Sequence, residues 1–250
     1  MKRVIALALL LAAPLLANAA ANRTLTADIP ATGIKTLVIT AGVGELRVTP
    51  SSDDAIHVSI RLEQKSREVL WFFHWQSNAT AREIQTAQIV QQGSGDRLDL
   101  SLGSSGKLDT SQVKQHWTVQ IPARLALNIS MKVGQVTVTG IAGGVHTDLN
   151  VGEVDLDTPG GPLSAKVNVG QISVTSSSKQ LGPIDLSSDI GEAALFMNGK
   201  HIREGGRHSG LGRRIHLAGS GPDSMKLSVN VGEVDLRIGP SPPQKNNPQH

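Results

Sequence analysis

The chain has 250 residues, 24 of them Lys or Arg and 21 Asp or Glu, with 26 glycines and neither cysteine nor tyrosine. The lack of cysteine excludes disulfides, cysteine metal sites and a lipid-modified cysteine, so packing alone must hold the fold. With only three Trp and three Phe, the interior has to be filled by Val, Ile and Leu.

The first residues, Met1-Lys2-Arg3, an apolar stretch from Val4 to Leu16 and the small-x-small sequence Ala17-Asn18-Ala19, predict a secretory signal peptide over 1–19. Its removal takes Lys2 and Arg3, leaving 24 − 2 = 22 basic against 21 acidic residues, a net charge of +1. Such a balance gives no electrostatic footprint for nucleic acid. No later segment approaches the ~20 apolar residues of a transmembrane helix. An exported protein, periplasmic or extracellular and without a transmembrane segment, is expected.

Residues 20–64 read as N-terminal strands or a first coil. Leu37-Val38-Ile39 and Leu46-Arg47-Val48 precede a turn at Pro50 to Asp54, and Ile56, Val58, Ile60 and Leu62 then alternate with polar residues. Residues 65–114 differ in kind and read as an insertion or cap. They hold the aromatic run Trp71, Phe72, Phe73 and Trp75, a short helix near Asn78 to Gln85, and a hairpin around Gly93-Ser94-Gly95-Asp96. From 115 to 239 the pattern is that of regular coils, and 240–250 has no apolar periodicity and is expected to be disordered.

One phrase recurs through the chain: Val43-Gly44-Glu45, Val133-Gly134-Gln135, Val151-Gly152-Glu153, Val169-Gly170-Gln171, Ile190-Gly191-Glu192 and Val231-Gly232-Glu233. The middle glycines are separated by 152 − 134 = 18, 170 − 152 = 18 and 191 − 170 = 21 residues, and the last gap, 232 − 191 = 41, is about twice that step. Gly44 lies 134 − 44 = 90 residues before Gly134, a multiple of 18, but a dissimilar segment intervenes and the match is set aside as coincidence. Around each glycine the apolar residues alternate and then shift by one, as in Leu149, Val151, Val154 and Leu156. A one-residue slip turns a strand inside out unless the chain bends there, and glycine permits the bend. The sequence therefore predicts an all-β, single-stranded β-solenoid, β-helix-like, with coils of 18–21 residues and a small helix and hairpin insertion.

Stacking such coils would align Glu45, Gln135, Glu153, Gln171, Glu192 and Glu233 in one ladder and Lys132, Asn150, Asn168, Asp189 and Asn230 in another. Interleaved amides relieve repulsion between carboxylates one above the other. Both ladders read as solvated stacking devices rather than a calcium site, and no metal or cofactor is expected.

The order of these features resembles the putative-adhesin family of bacterial exported β-solenoid domains, related to auto-transporter adhesin head-like domains. The resemblance rests on Val119-Gln120-Ile121-Pro122 before Leu125-Ala126-Leu127-Asn128-Ile129, on the Gly-Glu/Gln coils, and on Gly210 to Leu217 one coil before the final copy. It implies an envelope protein with adhesion or envelope-stress roles and no catalytic site to carry over.

No nucleophile elbow, metalloprotease helix or phosphate-binding loop is present. Asp148, Asp155, Asp157 and Asp185 read as exposed acids rather than the acid–base pair of a glycan lyase or hydrolase. Two interruptions of the repeat remain as tentative binding sites. Trp71, Phe72, Phe73 and Trp75 would either plug the open end of the stack or contact a partner. Lys200, Arg203, Arg207, Arg213 and Arg214 would form a solvated loop or, functionally, a site for an anionic lipid or glycan. The expected function is a non-enzymatic scaffold for adhesion or contact with an envelope protein or surface ligand.

Overall fold

The computed structural model describes residues 22–64, 84–104, 113–202, 206–209 and 211–239. The predicted signal segment, Trp71 to Trp75, Arg203 and the predicted tail lie outside the described residues, as do the side chains of 206–209. In chain order the strands are β1 (Arg23–Pro30), β2 (Thr36–Pro50), β3 (Ala55–Gln64), β4 (Ala87–Ser94), β5 (Arg97–Ser104), β6 (Val113–Ile121) and β7 (Ala126–Thr139). There follow β8 (Val145–Thr158), β9 (Leu163–Ser176), β10 (Leu181–Met197), β11 (Lys200–Ile202), β12 (Gly206–Ser209), β13 (Gly212–Leu217) and β14 (Asp223–Ile238). The protein is all-β: among the described residues the only helix is one turn at 84–86. The predicted hairpin is present as β4 and β5, joined through Gly95 and Asp96.

Six of the strands are long and carry the glycine phrase at their middle. In β8, Val145, Thr147 and Leu149 point inward, then Asn150 and Val151 both point outward, and Val154, Leu156 and Thr158 point inward again. Gly152 makes that phase change possible, with φ near 137°. Both arms of each strand therefore feed one continuous apolar core of Val, Leu and Ile. A flat strand with the same sequence would expose half of them.

The long strands lie parallel in the order β2-β7-β8-β9-β14-β10. Every glycine is in register with the next: Gly44 with Gly134, Gly134 with Gly152, Gly152 with Gly170, Gly170 with Gly232, and Gly232 with Gly191. The 90-residue offset between Gly44 and Gly134 is a multiple of 18 only by coincidence, as read from the sequence: the two are direct neighbours, and the offset reflects the excursion through β3 to β6, not five intervening coils. Two other sequence expectations are corrected here. The 41-residue gap from Gly191 to Gly232 is not two steps onward. The chain leaves β10, pairs β13 antiparallel against its outer edge, and returns to place β14 on the inner side, between β9 and β10. Gly212 to Leu217, read from the sequence as part of a penultimate coil, are thus one strand of an edge hairpin.

The N-terminal end mirrors this arrangement. β2 lies between β6 and β7, so the chain passes over it on leaving β6. The rung outside β2 is shared: Arg97 to Ser101 of β5 pair its first arm and Lys114 to Ile121 of β6 its second. Gln115 stands opposite Gly44 there. It is buried, and its Oε1 accepts from the Gly42 amide at 3.2 Å and from the Trp117 indole at 2.9 Å.

Antiparallel strands finish both ends. β3 and then β1 extend from β6, and β4 lies against β5; β13 with β12, and separately β11, cover the two arms of β10. Covering a parallel edge in this way blocks addition of further rungs. Histidine–carboxylate pairs fasten these end strands. His216 Nδ1 lies 2.6 Å from Asp185 across β13 and β10, and His116 lies 3.4 Å from Glu45 and 3.3 Å from Glu63 across β6, β2 and β3. His57 Nδ1 lies 2.6 Å from Asp28 across β3 and β1, and its Nε2 lies 2.9 Å from Asp53.

The His57 clamp sets a pH window. Its hydrogen bonds to Asp28 and then to Asp53 raise the imidazole above its ordinary value, while the His57 hydrogen bond lowers Asp53 below the usual carboxylate range. A raised histidine stabilises below its unfolded value and loses that contribution as pH rises through the folded value. A lowered carboxylate stabilises above its unfolded value and loses it as pH falls through the folded value. The clamp is therefore fullest between about pH 4 and 6.5. Amide-exchange protection of β1, relative to that of β8, is expected to fall as pH rises above this window, and His57→Gln should flatten that dependence.

Candidate functional site

The two outward residues at each glycine corner create the most distinctive surface of the molecule. The residue before each glycine belongs to neither inward alternation, so a β-branched apolar side chain is pushed into solvent on rung after rung. Val133, Val151, Val169, Val231 and Ile190 are between 38% and 49% exposed and stand in adjacent rungs in that order. Parallel strands lie about 4.8 Å apart, so five rungs make a ridge roughly 19 Å long. Leu211, the most exposed large apolar residue described, extends it: its carbonyl accepts from the Gly191 amide at 3.1 Å, next to Ile190. Among the described residues, Val90 is the one exposed large hydrophobic outside this line.

Polar ladders flank the ridge on both sides. On one side, Asn230 Nδ2 donates to Asn168 Oδ1 at 2.7 Å and Asn168 Nδ2 donates to Asn150 Oδ1 at 3.3 Å. On the other run Glu45, Gln135, Glu153, Gln171, Glu233 and Glu192. Carboxylate and amide alternate through Glu233, and only Glu233 and Glu192 place two carboxylates in adjacent rungs. Glu45 is drawn below the usual carboxylate value, chiefly by its hydrogen bond with Lys114. The ridge is thus apolar, narrow and bordered along one flank by acids.

The sequence-predicted sites fall differently. All six corner glycines, Gly44, Gly134, Gly152, Gly170, Gly191 and Gly232, are brought into one line. Trp71, Phe72, Phe73, Trp75 and Arg203 lie outside the described residues. The remaining basic residues are divided. Lys200 is paired with Met197 on one arm of β10, while Arg213 and Arg214 pair with Ser188 and Ser187 on the other arm, across the Gly191 corner. Arg207 is the backbone partner of Arg214 in the β12–β13 hairpin. Asp155, read as an exposed acid, accepts from Gln135 Nε2 at 3.2 Å. No group of side chains suited to holding a metal ion occurs among the described residues.

Sequence reasoning named both polar ladders and passed over the ridge between them. The signal was there: Val43, Val133, Val151, Val169, Ile190 and Val231 are apolar at every copy, yet lie where the phase change leaves no inward direction.

No family model matches the chain, and no curated protein matches it. Among solved structures, a putative cell adhesion protein from Clostridium sporogenes superposes with a TM-score of 0.54 at 13% identity, over 87% of this chain and 99% of that one. A putative adhesin from Bacteroides fragilis has a TM-score of 0.27 at 13% identity, over 86% of this chain and 97% of that one. A putative lipid binding protein from Parabacteroides distasonis has a TM-score of 0.27 at 11% identity, over 87% and 96% respectively. At such identities the likeness is one of fold, and the Clostridium sporogenes structure carries it. That structure is named a putative cell adhesion protein, the kind of protein to which the sequence resemblance pointed.

Proposed function

We propose that this is a non-enzymatic, exported adhesion or protein-contact scaffold of the cell envelope, wound as a single-stranded β-solenoid with coils of 18–21 residues, whose contact surface is the apolar corner ridge. The observation that carries this reading is the concentration of exposed apolar side chains at Val133, Val151, Val169, Val231, Ile190 and Leu211 in one line. Contiguous apolar surface on a soluble protein marks an interaction site far more often than isolated residues do. A solenoid corner has no structural need for it, since a polar β-branched residue would satisfy the same backbone. The fitting partner is a protein with an apolar strip edged by Lys or Arg, which would meet Glu153, Glu233 and Glu192 along the flank.

The triple variant Val151→Thr/Val169→Thr/Val231→Thr keeps β-branching and volume while removing apolar surface. Its melting temperature is expected to stay within about 6 °C of the parent, because exposed substitutions rarely exceed ~0.5 kcal/mol each. Photo-crosslinking from position 153 in native envelopes should capture a specific protein with the parent ridge and at least tenfold less with the variant. An unchanged set of crosslinked proteins would overturn the proposal.

A further inference from the structure

The outer face also carries a concave feature, distinct in character from the ridge. A groove of about 350 Å³ crosses β1, β3, β6, β2 and β7 on the arm that follows the glycine corner. Its floor is two rows of outward side chains set by strand register. One row reads Thr24, Arg61, His116, Glu45 and Gln135; the next reads Ser59, Thr118, Arg47 and Thr137. That volume lies within the range of small-ligand sites, roughly 300–1,000 Å³.

Ion pairs already engage the charged groups of the groove, with one exception. Arg61 Nε lies 3.0 Å from Glu63, His116 lies between Glu45 and Glu63, and Glu45 also holds Lys114 at 3.2 Å. Arg47 is exposed and makes no hydrogen bond or ion pair among the described residues. Its cross-strand neighbours are hydroxyls on both sides, Thr118 on β6 and Thr137 on β7, with Ser59 one strand beyond Thr118. The row thus presents one unpaired guanidinium among hydroxyls spaced by about 4.8 Å.

We infer that this groove is a binding site for a carboxylate-bearing saccharide, lying across the strands with its carboxylate on Arg47. A guanidinium binds a carboxylate through two parallel hydrogen bonds. Threonine and serine hydroxyls both donate and accept, as sugar hydroxyls do. The carboxylates of Glu45 and Glu63 border the site, which disfavours phosphate dianions and sulfated chains. Trp117 is buried beneath the strand, so the site holds its ligand by polar contacts and not by ring stacking.

The test is calorimetric titration of the protein with trigalacturonate and with an unsulfated chondroitin tetrasaccharide, using galactotriose and inorganic phosphate as comparisons. At least one of the two acidic saccharides is expected to bind. Arg47→Ala should weaken that binding at least tenfold at unchanged melting temperature, and Arg47→Lys should retain part of it. The ridge variant should bind the saccharide as the parent does, which separates this inference from the contact surface. Failure of both acidic saccharides to bind, equal binding of galactotriose, displacement by phosphate at equal concentration, or full retention by Arg47→Ala would each overturn it.

Discussion

Replacing Gly152 by Ala is expected to lower the melting temperature by roughly 10 °C, or to prevent folding outright. Two independent costs meet at this residue. Its φ of 137° lies in a region that side-chain-bearing residues rarely adopt, which costs of order 1–3 kcal/mol. A Cβ there would also lie 1.8 Å from the carbonyl oxygen of Gly134, in the neighbouring rung. That oxygen is backbone, so it cannot swing aside as a flexible side chain would. Relief requires moving two rungs apart and breaking ladder hydrogen bonds on both. A combined cost of at least about 3 kcal/mol is a large share of a typical domain stability of 5–15 kcal/mol, and each kcal/mol moves a domain of this size by about 2–4 °C. Gly93→Ala is the control: a Cβ there meets nothing within 4 Å, and its melting temperature should match the parent's. Circular dichroism melts of the two variants check the contrast, and a Gly152→Ala protein melting within about 2 °C of the parent would remove the corner from the account of stability.

This same clash explains why the repeat was so readable. Five of the six corner glycines sit against the carbonyl of the glycine in the next rung, from Gly134 on Gly44 through to Gly191 on Gly232, and Gly44 sits against the carbonyl of Gln115. No other residue fits, so the phrase survives at every rung and announces itself in the sequence. The inward alternation and the Glu/Gln ladder were legible for the same reason, being imposed rung by rung. The stacking order was not. A repeated phrase states that a strand can neighbour another of its kind, and says nothing of which one. Gly170 can meet Gly191 or Gly232 equally well by local pattern, and the 41-residue gap looked like two steps along a line when it was an excursion to an outer edge and back. The ridge was missed because the sequence was read for polar ladders. Val151, apolar between Asn150 and Gly152, counted as part of the buried pattern that it interrupts. The Asn198-Gly199 pair, a strong signal for a two-residue hairpin, was passed over as well; it forms the β10–β11 turn, where both residues have positive φ. Arg47 and its hydroxyl neighbours had no sequence signature at all, because they are joined only by the register of strands distant along the chain.

Oxidising the double variant Asn168→Cys/Asn230→Cys is expected to close a disulfide in essentially every molecule, whereas Asn168→Cys/Asp189→Cys should stay reduced. The chain contains no cysteine, so each pair reports cleanly. Asn168 and Asn230 stand in neighbouring rungs, their side chains joined at 2.7 Å. Strands about 4.8 Å apart fall within the 4.4–6.8 Å that a disulfide spans between Cα atoms, and strands two rungs apart do not. Closing a loop of 62 residues should stabilise by about 4 kcal/mol in chain-entropy terms, raising the melting temperature by roughly 10 °C. The physical question behind the test is why β14 enters between β9 and β10, when β10 could stack on β9 directly with its glycine in register. Two features favour the observed order. With Asp189 beside Asn168, the amide ladder would end on a carboxylate that has no proton to donate; Asn230 supplies one. The short connection from β9 to β10 is also tied to the start of β14, since Ser178 Oγ donates to Asp223 at 2.5 Å and the Asp223 amide donates to the Gln180 carbonyl at 3.1 Å. That tie holds the connection stretched over an occupied rung. A disulfide between positions 168 and 189, with none between 168 and 230, would mean that the rungs follow chain order after all and that β14 lies outside β10.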